Sequence, residues 1–158
     1  MLDTLFLFTD GSVNTQTGTG YGAYLAITKI STACPKLANQ IRTKNFENTS
    51  STKLELQTLL WALSEIQTTN KQIVVYTDCQ SILRLPGRRE RLEKNNYRSN
   101  NDKALNNAAL YQAFFKITDL LDCEFIKVKG HLKSNKKNNI DQLFSLVDRA
   151  ARTALRAA

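Results

Sequence analysis

Asp10 and Asp78 each close a short apolar run, in "FTDGS" and "YTDCQS", where β-type residues give way to turn-forming ones and the chain is expected to leave a sheet. Ligand sites in α/β sheets lie beyond strand ends, and two carboxylates gathered there repel one another unless something positive stands between them. A divalent cation meets that need. Mg²⁺ takes hard oxygen ligands, keeps several waters and is commonly held by one or two carboxylates together with substrate phosphates. Metal-assisted chemistry on a phosphate is therefore one reading of the pair. Taken singly, each aspartate also has an ordinary reading, Asp10 opening a turn before Gly11 and Asp78 capping the next helix.

Such residues need a scaffold, and the composition supplies one. With 158 residues, 42% of them hydrophobic, the chain is long enough for one domain with a real core. "TLFLFT" (4–9) and "YGAYLAIT" (21–28) read as a β-hairpin joined by "GSVNTQTGTG", and a third strand falls within "ANQIRTKNFEN". "STKLELQTLLWALSEIQ" shifts to helical spacing, with Leu56, Leu59, Leu60, Leu63 and Ile66 on one side, Ser51 or Thr52 as cap and Glu55 in the first turn. "QIVVYT" (72–77) is nearly continuous apolar sequence, as in a strand buried on both faces. After a break at Pro86 and Gly87 comes a polar stretch, then a helix in "NNAALYQAFFKITDLLD", a strand in "CEFIKVKG" and a last helix with Ile140, Leu143, Phe144, Val147 and Ala151 in register.

Charge and cysteines narrow the function classes. A net charge of +8 suggests a polyanionic partner. Nothing resembles a signal peptide and no apolar run approaches a membrane span, so a cytoplasmic protein without membrane contact is expected. Cys34, Cys79 and Cys123 are odd in number and lack paired spacing, which suits reduced thiols better than a zinc site or a disulfide framework.

Taken in order, "FTDGS", "GTGYGAYL", "STKLEL", "YTDCQSI", "VKGH" and "VDRAAR" resemble bacterial type 1 ribonuclease H over nearly the whole chain. The resemblance implies an α/β ribonuclease H-like fold, a five-stranded mixed sheet with the first three strands antiparallel, flanked by helices. It implies a monomeric endonuclease, with no obligate protein partner, that cuts the RNA strand of an RNA/DNA hybrid and leaves 5′-phosphate and 3′-hydroxyl ends. Two Mg²⁺ ions would serve it, with Mn²⁺ as a substitute. Asp10, Glu55 and Asp78 match the family's first three acidic residues, Asp148 is taken as the fourth, and His131 matches its catalytic histidine. Several carboxylates and no nucleophilic side chain suit a mechanism in which two ions about 4 Å apart activate water and stabilise the departing oxygen. An imidazole titrating near neutrality suits proton movement or product release. One fold hosts many functions, so a nuclease of this fold acting on double-stranded RNA or branched DNA, or a non-cleaving nucleic-acid-binding module, stands as the alternative.

For binding, Gln80 matches a family position that contacts the minor groove of the hybrid. Ser51 and Thr52 stand where well-studied bacterial members have two asparagines, and a hydroxyl has the shorter reach. Asn14, Asn48 and Ser50 are assigned to a phosphate pocket. The segment 84–103, with Arg88, Arg89, Arg91, Lys94 and Arg98 among its cations, lies where bacterial enzymes carry a basic substrate-binding protrusion, although its one aromatic residue is Tyr97 where related protrusions use tryptophans. A second basic group, including Lys127 and Lys129, surrounds His131.

The fourth acid has two candidates. Spacing from His131 favours Asp141, ten residues on, over Asp148, seventeen residues on. Local sequence favours Asp148, because "VDRAAR" resembles the family's helix-opening pattern and "IDQLFSL" does not. Asp148 is the expectation, with the stretch from Leu132 to Asn139 as a lengthened basic loop and Asp141 as a cap or a more distant acid.

Overall fold

In a computed structural model, residues 3–30, 35–66, 71–129 and 138–158 are described. Period-two alternation builds the sheet. Along β1 (Asp3–Asn14), Leu5 and Leu7 face one core cluster and Phe6 and Phe8 the other. β2 (Thr19–Ile27) sends Tyr24 to the first side and Ala23, Leu25 and Ile27 to the second. In β4 (Lys71–Thr77), Ile73 and Val75 oppose Val74 and Tyr76, so the run expected to be buried on both faces is. With β3 (Arg42–Phe46) and β5 (Asp122–Lys127), the strands lie in the order β3-β2-β1-β4-β5. β2 runs antiparallel to both of its neighbours, β1 and β3, whereas β4 runs parallel to β1 and β5 parallel to β4. This is the mixed sheet expected from the sequence.

Helices cover both faces. α2 (Ser51–Ile66), α3 (Gln80–Lys94) and α4 (Ala108–Leu120) pack on the Leu7 side, and α5 (Asn139–Ala157) lays Leu143, Phe144, Val147 and Ala151 on the Phe8 side. A one-turn helix, α1 (Pro35–Ala38), was not foreseen; its Leu37 packs on the α5 side of the sheet. Among the described residues, no helix is long and apolar enough to cross a membrane.

Two expectations need correction. Pro86 and Gly87 do not break the chain, because α3 runs through both. A proline inside a helix costs ~3 kcal/mol and a glycine up to ~1 kcal/mol. Ile82 and Leu85 before the pair and Leu92 after it are all buried, and each such side chain contributes roughly 1.5–3 kcal/mol. Burial on both sides of the proline outweighs the local penalty. β1, likewise, does not end at Asp10: it continues to Asn14, paired with β2 through Asn14↔Thr19. What ends near Asp10 is the parallel partner, since the last β1–β4 pair is Phe8↔Tyr76.

Candidate active site

The parallel register sets the first two carboxylates side by side. Phe8 lies opposite Tyr76, their rings stacked at 4.8 Å, and Asp10 and Asp78 each follow two residues later. The same offset in parallel strands keeps both side chains on one face, here just past the point where the two strands stop pairing. Asp10 is only 5% exposed.

Glu55 arrives from the other side of the sheet, and glycines let it approach. A Cβ on Gly11 would sit 2.9 Å from the Leu54 side chain, and one on Gly22 would collide with the Thr58 hydroxyl, which is bonded to the Leu54 carbonyl. With hydrogen atoms at these positions, α2 lies close enough for the Gly11 N–H to donate to Glu55 Oε1 at 3.2 Å. Glu55 is the fifth residue of α2, so it begins the second turn and not the first. Neither Ser51 nor Thr52 caps the helix: both are inside it, and the Leu54 N–H bonds back to the carbonyl of Ser50.

Asp10, Glu55 and Asp78 thus each offer a carboxylate oxygen within 4.8 Å of the other two. Burial, followed by the charge of Glu55, a hydrogen bond with Asp148 and the charge of Asp78, pushes the Asp10 carboxyl up to about 10. Burial and the Asp78 charge push Glu55 up to about 8, against the neighbouring Asp10 carboxyl and the Gly11 N–H bond, which favour its charged form. Glu55 Oε2 is buried and has no hydrogen-bond partner among the described residues. Hard oxygen donors, mutual repulsion and an orphaned buried oxygen together fit a divalent cation.

α5 brings both remaining candidates to the same cavity of about 530 Å³, whose wall also includes Ser51, Thr52 and Gln80. Asp148 is the one close enough to the cluster to push up both the Asp10 and the Glu55 carboxyls. Asp141 forms a capping box at the start of α5, accepting from the Asn138 N–H while Asn138 Oδ1 accepts from the Asp141 N–H at 2.9 Å. The helix therefore opens at Asn139, inside the stretch expected to be loop, and Asp148 lies in mid-helix. The rim is basic, with Lys129, Arg149 and Arg152 in the lining. The two arginines were missed as site residues. Their only sequence signal is the i+1, i+4 spacing from Asp148 in "DRAAR".

Asn14, Asn48 and Ser50 are outside this cavity, and Asn14 and Asn48 both border the turn at Gly18. Asn14 Oδ1 accepts from the Gln16 and Thr17 N–H groups, and Asn48, in left-handed backbone at φ 53, abuts Gly18. His131 and the lysines from 133 to 137 lie outside the described residues, as does Cys34.

In the basic segment, only some cations are available. Arg89 is engaged twice, forked onto Asp119 of α4 at 2.6 and 2.8 Å and bonded to Glu93 at 2.7 Å. Arg88 lies over the Tyr111 ring and Arg98 bonds the Asp102 carbonyl, whereas Arg91 and Lys94 are exposed and make no salt bridge among the described residues. The expectation for Arg89 changes accordingly. Arg89→Ala should lower the unfolding midpoint by loosening α3 from α4, while Arg91→Ala and Lys94→Ala should leave it level. Each of the latter should reduce the salt slope of nucleic-acid binding by about one counterion. Thermal melts and binding isotherms at several salt concentrations separate the two behaviours.

Comparison with known proteins bears on the family and the fold. A family model described as RNase H matches residues 3–156. The Ribonuclease H of Thermoanaerobacter sp. (strain X514) is 24% identical over 145 residues, 90% of this chain and 88% of that protein. Its counterpart from Thermoanaerobacter pseudethanolicus (strain ATCC 33223 / 39E) matches with the same figures. Among solved structures, the PFV RNase H domain superposes with a TM-score of 0.74 at 16% identity, over 94% of this chain and 92% of that one. LC9-RNase H1, described as a type 1 RNase H with the type 2 active-site motif, gives 0.71 at 19% identity, over 98% and 72%. At these identities the structural matches speak to the fold.

Proposed function

This chain belongs to the ribonuclease H family, whose members hydrolyse RNA in RNA/DNA hybrids, and we propose that it does so as a single-domain, monomeric, Mg²⁺-dependent endonuclease with Asp10, Glu55, Asp78 and Asp148 as the metal-holding set. The observation that carries the proposal is the convergence of three carboxylates within 4.8 Å around a buried Glu55 oxygen with no hydrogen-bond partner among the described residues. What bound Mg²⁺ supplies there is charge, lowering the pKa of the attacking water and stabilising the scissile phosphate and the departing 3′ oxygen.

The chain's own residues do the rest. The parallel β1–β4 register fixes Asp10 against Asp78 before any substrate arrives, so little ordering cost falls on the reaction. The Gly11 N–H holds one Glu55 oxygen and leaves the other for a ligand. Ser51, Thr52 and Gln80, on the same cavity wall, present hydroxyls and an amide to the 2′-hydroxyl face of the RNA. Lys129 and Arg149 on the rim, with Arg88, Arg91 and Lys94 on α3, take phosphates. His131 is assigned to proton transfer, and Asn14, Asn48 and Ser50 to a phosphate on the flank.

Short hydroxyls in place of amides at 51 and 52 favour looser discrimination of the hybrid, which gives the double-stranded RNA reading its one specific support. Labelled RNA/DNA, RNA/RNA and DNA/DNA duplexes of one sequence, incubated in Mg²⁺, decide between them. Cleavage confined to the RNA strand of the hybrid is expected. Equal cleavage of RNA/RNA would make this a broader ribonuclease.

A further inference from the structure

Asp148 is gripped from its own helix. Arg152, one turn later on α5, donates from Nη2 to Asp148 Oδ2 at 2.6 Å, while the same carboxylate lines one cavity with Asp10 and stands close enough to push the Asp10 carboxyl up. Asp148 is therefore the link between the acidic cluster and the basic rim. The acid-then-base order at i, i+4 is the favourable one in a helix, and a guanidinium bond to a carboxylate is charge-assisted. The side chains are 28% and 52% exposed, and both line the cavity, so the pair stands at its mouth and not out on the solvated face of α5.

Asp148 needs such a partner more than the other acids. Asp10 is fixed by its place in the β1–β2 ladder, opposite Ala23, and Glu55 by the Gly11 N–H. Asp148 projects from a helix toward three carboxylates that repel it. We propose that Arg152 is a positioning residue for the reaction: its guanidinium takes Oδ2 of Asp148 and holds that carboxylate in the cluster with its second oxygen left for a cation. The inference rests on Asp148 being the fourth carboxylate. Arg152 contacts Asp148 through a single nitrogen, so a lysine ammonium can replace it where a neutral amide cannot.

The test is a double-mutant cycle between Arg152→Gln and Asp148→Asn, with Arg152→Lys as the conservative variant. It is read by single-turnover hybrid cleavage with enzyme in excess, by steady-state KM and its salt dependence, and by calorimetric Mn²⁺ titration without substrate. Removing the partner of a ligand carboxylate commonly costs 10–100-fold in activity or metal affinity. Arg152→Gln should lower the cleavage rate and weaken Mn²⁺ binding by about tenfold each, with KM for the hybrid and the salt slope unchanged. Arg152→Lys should recover most of both. In the Asp148→Asn background the same substitution should add less than about twofold, since a residue acting through another has no separate effect.

A loss that appears in KM and the salt slope and persists in the Asp148→Asn background would overturn the proposal, making Arg152 a contact for a substrate phosphate. Unchanged kinetics and Mn²⁺ affinity in Arg152→Gln would overturn it too, leaving an idle helical ion pair. Full activity of Asp148→Asn alone would remove the fourth-carboxylate assignment, and this inference with it. An inactive Asp148→Asn beside an unaffected Arg152→Gln would remove only the inference.

Discussion

Asp10→Asn abolishes hybrid cleavage and makes the metal-free protein harder to unfold. The first half follows from the cluster: Asp10 offers an oxygen within 4.8 Å of those of Glu55 and Asp78, so losing its charge weakens every cation held among them. Metal stabilisation of transition-state charge is worth several kcal/mol, so a loss of about 10³-fold or more is expected. The second half follows from linkage. Asp10 and Glu55 have folded-state values raised to about 10 and about 8, above their unfolded values of about 4. A raised carboxylate contributes stability that is complete below the unfolded value and is lost as pH rises through the folded one. Metal-free protein should therefore lose stability steadily from about pH 4 to about pH 10, most steeply below about pH 8 where both groups contribute. Asparagine at position 10 removes part of that decline, so the gain in midpoint over wild type should be larger at the alkaline end. Added Mg²⁺ should stabilise wild type more than the variant. Melts across this pH range, with Mg²⁺ or chelator, read both effects.

Asp148→Asn and Asp141→Asn should separate by about two orders of magnitude in cleavage rate. Seven residues along α5 put the two carboxylates ~10 Å apart, too far to serve one ion pair equally. Asp148 stands close enough to Asp10 to push its carboxyl up, whereas Asp141 is occupied with Asn138 at the helix start. Asp148→Asn should lower cleavage ~10²-fold or more, with partial recovery at high Mg²⁺. Asp141→Asn keeps an oxygen for the capping box but loses a charge at a helix N-terminus, which costs ~0.3–1 kcal/mol of stability. Its cleavage rate should stay within about threefold of wild type. Rates measured over a range of Mg²⁺ concentrations decide the matter, and the reverse ranking would hand the role to Asp141.

The sequence made the reactive residues legible because their neighbours are strongly patterned. An apolar β-run ending in Asp marks Asp10 and Asp78, and a helix opening on Ser-Thr-Lys-Leu-Glu marks Glu55. The conflict over the fourth acid was also visible, since spacing and local pattern disagreed. What could not be read depends on contacts between distant segments. Proline at 86 announces a break, and only the burial of Ile82, Leu85 and Leu92 against the core overrides it. Arg89 looks like any other cation in its segment until α4 brings Asp119 within 2.6 Å. The turn at Asp10 is a strand, because β2 continues to pair with β1 after β4 has diverged. Arg152 lay unmarked in an alanine- and arginine-rich stretch whose helical face was not assigned.

The most direct test of the metal-centre account is end-group analysis of hybrid cleavage by the wild-type protein in Mg²⁺ and in chelator. RNA cut only in Mg²⁺, leaving 5′-phosphate and 3′-hydroxyl termini, is the predicted result, because an activated water and not the neighbouring 2′-hydroxyl attacks the phosphate. Cleavage that persists in chelator, or products ending in 2′,3′-cyclic phosphate, would contradict it.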